Sequence, residues 1–140
     1  MQGTYYGHVF IADFIGKAQN LKVKPLETGQ NEVTAYGGYH GHSLAKVVVI
    51  NLKLSDDPNR PSRHVDLTLP DGVKSVKVEK LTGAGGLSTE NIRWADQVWT
   101  VDNNGKVESK YNDTKEYDVR GGNVTLDIRA TEALMVTLQR

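Results

Sequence analysis

The sequence predicts an all-β protein: an antiparallel β-sandwich of about eight or more strands, preceded by one N-terminal α-helix. Two observations predict it. From about Asn20 onward the chain is a succession of short alternating segments separated by Gly, Pro, Asn and Asp, the pattern of strands and tight turns. Ahead of them lies one stretch, Tyr5 to Gly16, that is apolar on nearly every helical face. Such a helix calls for burial between two layers, because a surface helix needs only one apolar stripe. The expected organisation is a helix over residues 1–18 and a sandwich over residues 19–140.

Each element follows from its spacing. In the helix, Phe10, Phe14 and Lys17 fall on one line and Ile11 and Ile15 on another. Gly16 suits a helix stop. Leu21 to Leu26 alternates, with Leu21, Val23 and Pro25 on one face. Between Val33 and Tyr39, the residues Val33, Ala35 and Gly37 share one face, and Thr34, Tyr36 and Gly38 the other. Leu44 to Leu54 contains Val47-Val48-Val49-Ile50, apolar on both faces, as a central strand covered from both sides requires. His64 to Leu69 and Val73 to Leu81 are joined by the turn Pro70-Asp71-Gly72. Ile92 to Trp94 and Val98 to Val101 are short strands, and Trp94 shares a face with Ile92, which points it inward. Asp102-Asn103-Asn104-Gly105 predicts a hairpin turn. Tyr117 to Val119, Val124 to Ile128 and Ala133 to Leu138 complete the set, with Gly121-Gly122-Asn123 linking the first two.

Composition narrows the function. The chain has 140 residues and no cysteine, so disulfides and thiolate metal sites are excluded. A formal net charge of zero argues against a nucleic-acid partner held by phosphate neutralisation. No apolar run approaches the length of a membrane span, and no basic segment followed by a long apolar stretch reads as a signal peptide. Two glycosylation acceptor triplets occur, Asn112-Asp113-Thr114 and Asn123-Val124-Thr125.

Chemistry-bearing residues are sparse. A glycosidase needs two carboxylates facing each other across the bond to be cut. Here the acids fall in turns or on solvent-facing strand positions. Glu132, just ahead of the last strand, is placed to cap nearby backbone amides. His40-Gly41-His42 brings two imidazoles round a turn, but a metal needs a third ligand, and His8 and His64 are distant. Gly83-Ala84-Gly85-Gly86 lacks the Lys-Ser/Thr of a phosphate loop. No catalytic residue, metal or cofactor is expected. The candidate sugar-binding residues are Tyr36, Tyr39, His40 and His42 on one hairpin, although Tyr36 and Tyr39 differ in parity.

Several blocks, in order, carry a family resemblance. They are Tyr5-Tyr6-Gly7-His8-Val9-Phe10-Ile11-Ala12 with Gly16; Thr34-Ala35-Tyr36 through Tyr39; Leu44 to Leu52; Arg60-Pro61-Ser62; Val78-Glu79-Lys80-Leu81-Thr82-Gly83; Ile92-Arg93-Trp94-Ala95-Asp96-Gln97; and Ala130-Thr131-Glu132-Ala133. Together they resemble the C-terminal β-sandwich domain of glycoside hydrolase family 79, the fungal β-glucuronidase type. The resemblance implies a retaining hydrolase whose catalytic glutamates lie upstream on a (β/α)8 barrel, and relatives that are mostly secreted or lysosomal. None of this chain matches those catalytic motifs. The implied function is a non-catalytic accessory domain with a structural or interaction role in a carbohydrate-active setting. The alternatives are a small stand-alone lectin, and a hydrolase only as part of a longer chain with the barrel. The helix residues Phe10, Ile11, Phe14 and Ile15 are the expected interface. They fold back on the sandwich, or meet a second copy, or meet the barrel.

Overall fold

A computed structural model describes residues 10–16, 21–53, 59, 61–82, 92–99, 107–109 and 113–140. Among them run eleven strands: β1 (Leu21–Leu26), β2 (Val33–His40), β3 (Ser43–Asn51), β4 (Ser62–Thr68), β5 (Ser75–Thr82), β6 (Arg93–Trp94), β7 (Gln97–Trp99), β8 (Val107–Ser109), β9 (Lys115–Asp118), β10 (Asn123–Arg129) and β11 (Ala133–Gln139). Residues 10–15 form a helix, α1. The fold is all-β and antiparallel, as the alternation predicts. The turn expected at Asp102 to Gly105, the Gly83 to Gly86 segment and the helix before residue 10 lie outside the described residues.

A large sheet has the order β1-β2-β3-β11-β5-β6-β7-β8, with β9 also on β5. The free edge of β5 is shared: β9 pairs along Ser75 to Val78 and β6 along Leu81 and Thr82. β4 and β10 form a second, two-stranded sheet, with Val65 opposite Leu126. Both faces of the large sheet are apolar. Val47, Val49, Leu134, Val136, Val76 and Val78 face Val65, Val124, Leu126 and Ile128 of the small sheet. On the opposite face, Val48, Met135 and Ala133 meet Trp94 and α1. The central strands β3 and β11 therefore alternate between two cores, which is why their sequences are apolar at successive positions. The outer edge, β1, carries Lys22, Lys24 and Pro25, residue types that blunt edge-to-edge pairing.

Turn chemistry fixes the register. Gly41, at φ +64°, turns β2 into β3. Arg120 and Asn123 exchange backbone hydrogen bonds across Gly121 and Gly122. Both glycines have positive φ, the requirement of a type I′ turn. The β6–β7 hairpin turns on Ala95 and Asp96, at φ +51° and +71°. The same geometry is met there without glycine, because the Asp96 carboxylate accepts the backbone N–H groups of Asp113 and Thr114 and fixes the loop. Ala95→Asn is expected to raise stability, since it relieves part of the roughly 1–2 kcal/mol that a left-handed L-residue costs. A higher urea midpoint at unchanged m-value checks it, and an unchanged or lower midpoint refutes it.

Candidate functional site

Among the described residues, the helix face of the large sheet carries an apolar groove. Local sequence explains how α1 is seated there. Phe10 and Phe14 occupy one line of the helix and are 6% and 8% exposed; Ile11 and Ile15 occupy the next line and are 57% and 49% exposed. Gly38 of β2 makes room for the seated line, because a Cβ there would lie 3.1 Å from the Phe14 ring. Phe10 meets Trp94 edge-to-face at 4.9 Å between centroids. Trp94 is fully buried, and its Nε1–H donates to Asp13 Oδ2 at 2.5 Å. Lys46 Nζ donates to the Asp13 carbonyl at 2.7 Å, placing a cation at the negative end of the helix. Gly16 stops the helix at φ +67°, and its N–H donates to the Ala12 carbonyl.

Of the four residues expected at an interface, Phe10 and Phe14 are thus committed to the chain's own core. The helix is seated on the sheet itself. Ile11 and Ile15 remain outside. They line an apolar groove of about 290 Å³ whose floor and walls are Phe10, Phe14, Val48 and Ile50. Val23 and Tyr36, both exposed, close its far side. Among the described residues, no carboxylate, imidazole or amide lines it.

The four candidate sugar-binding residues do not assemble into one platform. Tyr36 pairs with Val48 and shares the helix face. His40 pairs with Leu21, whose side chain also packs on that face. Tyr39 lies on the other side of the sheet, against the space above Gly37 and beside Leu44, with Lys24 Nζ 5.5 Å over its ring. The register step at Gly38/Tyr39, where Tyr39 pairs with Leu44 and Gly38 with Lys46, accompanies this crossing. His42 sits exposed in the turn. Among the described residues, no three His, Asp or Glu side chains gather as metal ligands.

Glu132 plays the capping part its sequence position suggests. Its Oε1 accepts the Arg129 backbone N–H at 3.0 Å and its Oε2 accepts the Thr82 hydroxyl at 2.5 Å, with the residue buried. What sequence reasoning missed is the role of Asp13. Its carboxylate on an otherwise apolar helix was the available signal.

Fold and site together define a β-sandwich domain with an apolar seat on one side. The chain belongs to the family described as the glycosyl hydrolase family 79 C-terminal beta domain, which it matches over residues 35–135. It is similar to a 4-O-α-L-rhamnosyl-β-D-glucuronidase from Fusarium oxysporum 12S, solved as a Rha-GlcA complex, at 27% identity and a TM-score of 0.82. That likeness covers 96% of this chain and 29% of the Fusarium enzyme, so the chain spans under a third of that enzyme's length. CelM2, a bifunctional glucanase-xylanase from a metagenome library, and a family 44 endoglucanase produced by Clostridium acetobutylium ATCC 824 are similar at 14% identity and a TM-score of 0.44. Each covers 76% of this chain and 16% of its own. No curated protein matches the chain.

Proposed function

We propose that this domain is the non-catalytic accessory part of a family 79 glycoside hydrolase, and that its helix face docks on the catalytic barrel. The observation that carries this reading is the groove beside α1. Ile11, Ile15, Val23 and Tyr36 form one contiguous apolar surface, whereas the outer face of the β4–β10 sheet carries His64, Asp66, Thr125 and Asp127. Burying a large apolar side chain stabilises by roughly 1.5–3 kcal/mol, so two exposed isoleucines beside a groove represent a sizeable unmet gain. An accessory role also fits the share of the Fusarium glucuronidase that this chain aligns with; most of that enzyme lies elsewhere.

The test is reconstitution. A family 79 barrel lacking its own β-domain is mixed with this chain, and association is followed by sedimentation and by turnover of a chromogenic glucuronide. The wild-type chain is expected to bind the barrel and to show no turnover alone. Ile11→Asp with Ile15→Asp is expected to abolish binding, and urea denaturation of each variant checks that the fold is kept. Turnover by the isolated chain would overturn the non-catalytic reading. Concentration-dependent self-association through the same isoleucines would assign the face to a second copy instead. Glycan binding lost on changing Tyr36 would assign it to a sugar.

A further inference from the structure

We infer that Asn123 is an N-glycan acceptor, and that the outer face of the β4–β10 sheet is the solvent face of the molecule. Three observations carry this. First, Asn123-Val124-Thr125 is an acceptor triplet with no proline at its centre. Second, the structure presents it. Asn123 is exposed and directly follows the tight Arg120–Asn123 turn, so its side chain leaves the sheet at a corner. Its Oδ1 accepts the Thr68 hydroxyl at 3.0 Å. Among the described residues its Nδ2, the atom that would carry the sugar, reaches only the Gly121 carbonyl, at 3.5 Å, the outer limit of a hydrogen bond. Third, the surroundings are polar and self-satisfied. Thr125 donates to Asp66 at 2.5 Å, and His64 pairs with Asp127. These cross-strand pairs point away from Val65, Leu126 and Ile128, which fill the core behind them. A sugar chain on Asn123 therefore displaces no packing, and it stands on the sheet opposite the apolar groove.

The chemistry is a glycosyl transfer. Asn123 Nδ2 loses one proton and bonds to the anomeric carbon of an oligosaccharide. The bond from that carbon to the pyrophosphate of a polyprenyl-linked donor breaks, and the lipid pyrophosphate leaves.

Trypsin isolates the site, since cleavage after Arg120 and Arg129 releases residues 121–129 with Asn123 as their single asparagine. The chain is secreted from yeast behind a signal sequence, and this peptide is measured by mass spectrometry before and after endoglycosidase. The wild type is expected to carry N-acetylhexosamine on this peptide. Thr125→Ala removes it completely, and Thr125→Ser, which keeps the hydroxyl, retains it. A folded, secreted wild type with an unmodified 121–129 peptide overturns the assignment. So does a glycan confined to the peptide that holds Asn112.

Discussion

Trp94→Ala is expected to cost about 3–5 kcal/mol of unfolding free energy and to release α1 from the sheet. The indole is fully buried between the helix and the central strands, with Met135 and Ala133 in the same cluster. Alanine would leave a cavity the size of most of that ring. It would also remove the partner of Phe10 and the donor to Asp13. Loss of a charge-assisted hydrogen bond adds to the packing loss, since such bonds are worth about 1.5–3 kcal/mol. Trp94→Phe separates the two: it keeps an aromatic neighbour for Phe10 and deletes the N–H. Its cost should fall well below that of alanine. Urea denaturation gives the free energies, and hydrogen exchange at the Gly16 amide, which donates to Ala12, reports the helix. If Trp94→Ala costs no more than a surface change, about 0.5 kcal/mol, the indole is not the anchor of α1.

How far the sequence reaches can be seen at individual residues. The double apolar face of Val47 to Ile50 correctly implies two cores, because alternation in a strand is a local property fixed by the backbone. The inward pointing of Trp94 beside Ile92 follows from the same rule. Which line of the helix is buried does not follow. Phe10/Phe14 and Ile11/Ile15 are equally apolar, and the choice is made by Gly38 and Trp94, far away in the chain. The strand order is equally silent: nothing local places β11 between β3 and β5, or pairs β4 with β10. The Ala95–Asp96 turn escapes notice because neither residue is the glycine or asparagine that usually marks positive φ. For the candidate sugar residues, parity already separates Tyr36 from Tyr39, and the structure places them on opposite faces.

Glu132→Ala should be the second most damaging substitution, at about 3 kcal/mol, because two hydrogen bonds to one buried carboxylate disappear together. The residue is 3% exposed and closes the turn from β10 to β11. Thr131 sits in that turn at φ +61°, a strained conformation for a β-branched side chain. It persists because the surroundings hold it. The Glu132 N–H donates to the Arg129 carbonyl, its carboxylate accepts from the Arg129 amide, and its carbonyl accepts from Asn51 of β3. The bond from Thr82 of β5 then ties the turn to a second strand of the large sheet. Asn51 Nδ2 completes the link by donating to the Ile128 carbonyl of β10 at 3.3 Å. Glu132 is therefore a staple between the two sheets. Glu132→Gln retains an acceptor oxygen, so it should cost less than alanine. A double-mutant cycle with Thr82→Val tests the staple directly. Contacting residues in one network couple by about 0.5–3 kcal/mol, and a strictly additive pair would mean that the carboxylate and the hydroxyl stabilise the fold independently.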